Sequence, residues 1–250
     1  MMRRVLLATA CSVIAAGLPA MVFAQGNAPA VKPLRTLVYS VQYSVSTTNE
    51  EKTSGFDGNN VPTPYGSATT RRSSSVDEAG TLTADVVAAT PDGGLAVDAA
   101  FAGKSAAQPS VRVVVYPDGR LSAPPSAQLG PEALRLLPLL ARGIVANRTV
   151  TPGSSWSLPV APPAKGAYTF HVMDVDGDTA KFGIDVDMAV PGPQGYDEHG
   201  KATATYDTAK LCPLSYDYTG TSRHSPAMDQ YVTTTAHFTA RLLSDSFAKK

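Results

Sequence analysis

The chain reads as mostly β: one curved antiparallel sheet, a half-barrel or open barrel, with one short central helix. Three observations predict this. Segments in which apolar and polar residues alternate recur along the chain, which is the period of a half-buried strand. Turn clusters built from Pro, Asp and Gly separate those segments. One stretch, residues 130–146, carries instead the wider spacing of an amphipathic helix.

The first element is not part of the sheet. Residues 1–24 open on Met1-Met2-Arg3-Arg4, run apolar, and end with Val22 and Ala24 at the two positions a signal peptidase reads. This predicts a secretory signal peptide and a periplasmic or secreted protein. The apolar run is short and holds Gly17 and Pro19, so no permanent membrane helix is expected. Leu7-Ala8-Thr9-Ala10-Cys11 resembles a lipoprotein box but follows a very short apolar run, and no cofactor motif downstream calls for twin-arginine export through Arg3-Arg4. Cleavage after Ala24 leaves 19 basic residues against 21 acidic ones, without the charge footprint of a nucleic-acid binder. It also leaves Cys212 as the only cysteine, so no internal disulfide supports the fold and the apolar core must. About 225 residues suffice for such a core. Residues 25–34, with Pro29 and Pro33, read as a flexible lead-in to a single β-rich domain over 35–250.

Within that domain, residues 36–46 place Leu37, Tyr39, Val41, Tyr43 and Val45 on one face of a strand. A long polar segment with Gly55, Gly58, Pro62, Pro64 and Gly66 follows, too long for a plain hairpin and suited to a flap. Pairing resumes at 71–76, and 81–89 forms a further strand with Leu82, Ala84, Val86 and Ala88 inward. Thr90-Pro91-Asp92-Gly93-Gly94 is a strong turn, because Pro presets one dihedral and Gly admits positive φ. Strands holding Leu95, Val97, Ala99 and Phe101, then Val111, Val113 and Val115, complete an antiparallel meander. The helix begins with Pro131, where a missing N–H costs nothing, and Glu132 favours its positive end. Leu134, Leu137, Ala141 and Ile144 share a stripe, and Pro138 should kink or split it. Beyond Trp156, strands are expected at 167–175, 180–190, 202–208, 211–219 and 231–243, with a Gly/Pro loop at 191–200. That makes about ten strands around one helix.

Reaction chemistry is hard to place in this pattern. Gly153-Ser154-Ser155-Trp156 lacks the second Gly of a nucleophile elbow and reads as a turn entering a strand. Ser246 and Lys249 match a Ser-x-x-Lys spacing but sit in the terminal tail. His171, His199, His224 and His237 stand too far apart in sequence for a zinc site, and His171 and His237 fall on polar strand faces. Asp174-Val175-Asp176-Gly177-Asp178 has oxygen ligands like a calcium loop, yet its Gly is misplaced and its flanks are strands, so it reads as a hairpin turn. Cys212 reads as a small core residue. No metal or cofactor is implied.

The signal peptide, the strand opening Leu37-Val38-Tyr39, the Leu-rich helix, the Pro152-Gly153-Ser154-Ser155-Trp156 turn and the late β meander together resemble exported bacterial proteins with half-barrel domains, like the carriers and receptors that move lipoproteins. The resemblance spans most of the mature chain as architecture, without a diagnostic motif. It implies a curved sheet wrapped on a helix around an apolar groove. The expected function is non-enzymatic binding of an apolar ligand or lipid on the concave face, walled by Tyr39, Tyr43, Phe101, Phe182, Ile184, Met188 and Phe238, with Leu137 and Leu140 on the lid. The alternatives are an envelope structural or protein-interaction module and a hydrolase assembling Ser155 or Ser225 with His224 or His237 and an Asp. A small outer-membrane barrel fits less well, since aromatic girdles are not evident.

Overall fold

The strands are laid down from the middle of a sheet outwards, and the chain then returns from the far side. In the computed structural model, which describes residues 32–53, 68–104, 107–127, 129–160, 163–192, 195–227 and 229–247, eleven strands form one antiparallel sheet. They are β1 (Arg35–Thr53), β2 (Ala68–Ala89), β3 (Leu95–Gly103), β4 (Val111–Val115), β5 (Leu121–Ser122), β6 (Ser155–Pro159), β7 (Lys165–Asp176), β8 (Thr179–Val190), β9 (Tyr196–Asp207), β10 (Cys212–Ala227) and β11 (Gln230–Asp245). Their spatial order is β5-β4-β3-β2-β1-β11-β10-β9-β8-β7-β6. The first meander therefore runs from the centre to one edge, and the second from the other edge back to the centre. A helical crossover joins the two edges: α1 (Pro131–Leu136), then 3-10 turns at Leu137–Leu140 and Arg142–Ile144. The sheet is open, since β5 and β6 do not pair with each other.

One helix covers so many strands because the sheet curls around it. The Leu137–Leu140 turn touches both β4 and β10. Those strands are five positions apart in the order, about 24 Å in a flat sheet at the usual ~4.8 Å spacing. That is twice the diameter of a helix. Leu136, Leu137, Leu140 and Ile144 fill the hollow, and the inward residues of nearly every long strand close on them in one apolar cluster.

Several sequence expectations need correction. Residues 71–76 and 81–89 belong to the single 22-residue strand β2. β1 continues to Thr53, past the expected end at residue 46. The expected loop at 191–200 is shorter, because Tyr196 already starts β9, and β10 runs on to Ala227. Pro138 does end the α-helix: hydrogen bonding tightens to 3-10 from Leu137 onward. Gly93, at φ 82°, and Gly177, at φ 56°, make the two expected hairpin turns. The signal peptide, residues 25–31 of the lead-in, the polar segment 54–67 and Lys249 lie outside the described residues.

Candidate functional site

The hollow under the crossover is where the expected wall residues gather. Tyr39, Phe101, Phe182, Ile184 and Phe238 are buried there with Leu137 and Leu140, and the half-buried Tyr43 packs against them, whereas Met188, also half-buried, lies outside that cluster. Their rings interlock: Tyr43 meets Phe101 at 6.4 Å, and Phe182 lies within 6.2 Å of Trp156, Phe170 and Tyr206. The space left between α1 and β2–β4 is about 10 Å³, room for roughly one water. The face is therefore largely apolar, and the crossover fills it instead of leaving the expected groove.

Polar side chains hold the crossover in place, and sequence reasoning missed all of them. Arg135 projects from α1 to Glu198 on β9, which is buried. The hydroxyl of Tyr218 on β10 donates to the same carboxylate oxygen at 2.5 Å, and the guanidinium lies 4.2 Å from the centre of that tyrosine ring. Burial opposes the charge on Arg135, but the attraction of Glu198 and the neighbouring tyrosines outweighs it and holds the guanidinium pKa above its ordinary value.

A glycine pair makes room for this stack. Gly200 and Gly220 face each other across β9 and β10, and a Cβ on Gly220 would lie 1.8 Å from the Tyr218 hydroxyl. The ring thus lies flat along the strand, under Arg135. The same device occurs once more: Gly80 faces Gly103 across β2 and β3, with Phe101 in the slot. In both places a Glu-x-Gly strand meets an aromatic-x-Gly strand, at Glu78/Phe101 and at Glu198/Tyr218. That recurring spacing is the signal by which the sequence could have revealed the site.

The second acidic residue is left without a countercharge. Glu132 on α1 is 1% exposed, and its Oε2 has no hydrogen-bond partner among the described residues. Desolvation, and secondarily the nearby Glu78, push its carboxyl above the usual carboxylate range. The underside of the crossover therefore carries one carboxylate paired with Arg135 and one whose Oε2 is unpartnered among the described residues.

The outer face of the sheet is polar and open to water. Three histidines pair there with carboxylates: His171 with Asp185 at 3.0 Å, His199 with Asp187 at 3.1 Å and His237 with Asp217 at 3.3 Å. Ser155 lies 3.2 Å from His171 Nδ1, so a Ser–His–Asp chain does form. It is not the expected combination. Ser155 meets neither His224 nor His237; Ser225 bonds the backbone at Ala227 and Gln230, and His224 bonds the carbonyl of Gly195. The chain lies on an exposed strand surface, beside an open depression of about 350 Å³. Backbone N–H groups of a sheet lie in its plane, whereas Ser155 stands perpendicular to it, so they are not aimed at an oxyanion above this serine. Cys212 is free and buried, with Arg35 donating to its sulfur at 3.1 Å; burial pushes the thiol up despite that cation. Among the described residues, no three His, Cys, Asp or Glu side chains converge as a metal site, and no helix is long and apolar enough to cross a membrane.

No family model matches the chain, and no curated protein does. Among solved structures, lipovitellin, described for its lipid–protein interactions, aligns with a TM-score of 0.42 at 10% sequence identity. The alignment covers 88% of this chain and 26% of that one, so the chain spans about a quarter of lipovitellin's length.

Proposed function

We propose that the protein is an exported, non-enzymatic carrier that takes an apolar ligand or lipid onto the helix-covered face of its sheet. The observation that supports this reading is how little chain fills the hollow of the sheet. An apolar face built from eleven strands is closed by a six-residue helix and two short 3-10 turns, anchored at the Arg135–Glu198–Tyr218 contact. Ligand and crossover would compete for the same surface, so binding would shift the crossover from closed to displaced, and the anchor sets how readily.

The test is uptake of a dansyl-labelled long-chain fatty acid, together with native mass spectrometry of protein isolated from its own envelope fraction. The informative variant is Arg135→Met, which leaves the Glu198 carboxylate buried without its cation in the closed state but open to water once the crossover is displaced. It should bind the probe roughly tenfold more tightly, because the closed state loses about 1.4 kcal/mol or more of its advantage. If neither parent nor variant takes up the probe, and the native protein carries no apolar adduct, the carrier reading fails and the interaction module takes its place.

A further inference from the structure

β2 is far longer than its outer neighbour, and the difference leaves a bare edge in the middle of the sheet. β3 pairs with β2 only from Gly80 to Ala89, and the Lys104 N–H closes that ladder on the carbonyl of Ala79 at 3.0 Å. From residue 68 to 78 the same edge meets no strand among the described residues, while β1 pairs the other edge throughout. Because Ala79 points its carbonyl outward, alternation directs the N–H and C=O groups of Thr69, Arg71, Ser73, Ser75 and Asp77 outward as well. Residues 69–77 are all exposed.

Elsewhere the protein blunts its edges. β5 is two residues long, and β6 is five residues long and ends on Pro159. The β2 edge has no proline, and its register against β1 runs without a bulge. Its sequence is also self-complementary in charge. Around Ser74, Arg71 and Arg72 lie on one side, and Asp77 and Glu78 on the other. Asp77 and Arg72 have no ion-pair partner among the described residues, and the exposed Arg71 reaches only the half-buried Glu50 at 3.2 Å.

We propose that two copies of the chain join edge to edge through β2, antiparallel about a two-fold axis at Ser74. In this register Arg71 of each copy lies opposite Asp77 of the other, and Ser73 lies opposite Ser75. The outward backbone groups then complete a ladder across the two sheets, and Lys104 marks where it must stop. Opposite charges in directly facing positions select this register over its neighbours.

Sedimentation equilibrium of the purified chain should give twice the chain mass. Arg71→Asp and Asp77→Arg each create two facing like-charge pairs, and each should weaken the dimer roughly tenfold or more. An equimolar mixture of the two variants should restore it, because every facing pair across such a heterodimer is again of opposite sign. Ser74→Cys should cross-link under mild oxidation, since a non-hydrogen-bonded facing pair brings its Cα atoms to about 4.5 Å, within disulfide reach. Thr70→Cys, which faces Glu78 of the other copy, should not. A monomer at all concentrations, or single variants that dimerise like the parent, would overturn the proposal.

Discussion

Glu132 is the residue whose environment disagrees most with its chemistry. It occupies the first turn of α1, where a carboxylate is favoured, yet it is turned under the helix, 1% exposed, with one oxygen unpartnered. Desolvation raises its folded pKa above the reference value of 4.5. A raised carboxyl means the native state keeps a proton that the unfolded chain has released. The stability linked to this group is therefore fully present below about pH 4.5 and is lost as pH rises through the folded pKa. Glu132→Gln keeps the shape and removes the ionisation. It should match the parent at pH 4 and exceed it at pH 8 by about 1–3 kcal/mol in urea unfolding. Equal pH profiles for the two proteins would show that Glu132 stays ionised and solvated.

At the scale of elements, the glycine slots explain both a stability prediction and a misreading. Gly220→Ala would drive a methyl group into the Tyr218 hydroxyl, turn the ring out of its slot and break its bond to Glu198. Overpacking of this kind costs about 1–3 kcal/mol. Gly183→Ala on the outer face meets nothing closer than 3.5 Å, the sulfur of Met173, and should shift the urea midpoint little. If both substitutions shift it equally, the slot carries no special weight. Glycines such as Gly195 and Gly200 suggested a loop over 191–200, because a glycine in sequence signals a turn far more readily than a seat for an aromatic ring two strand positions away. The alternating strands were legible because period two is local: Phe182, Ile184 and Val186 are buried, while Lys181, Asp185 and Asp187 are exposed. The inward placement of Tyr39, Phe101 and Phe238 was legible for the same reason. Arg135 and Glu198 were not, since they are 63 residues apart and only the curl of the sheet brings them together.

At the scale of the molecule, the decisive contact joins the two ends of the described chain. β1 and β11 pair in antiparallel register from Leu37 against Asp245 to Glu51 against Gln230, and Arg35 grips both oxygens of Asp245 at 3.0 and 2.8 Å. No local pattern could announce that pairing, because loop closure across some 200 residues depends on every intervening strand finding its place. The two meanders meet through this pair and through the crossover beneath it, and a single apolar cluster runs through both. Neither half buries its inward face alone, so the halves should unfold together. Trp156, the only tryptophan, stacks on Phe170 in the second meander at 5.9 Å and reports that half selectively. Far-UV circular dichroism reports all eleven strands. The two signals should give one coincident thermal transition. A tryptophan transition separated from the dichroism transition would mean that the second meander holds its core without the first, and that the β1–β11 seam is a docking contact between two stable halves.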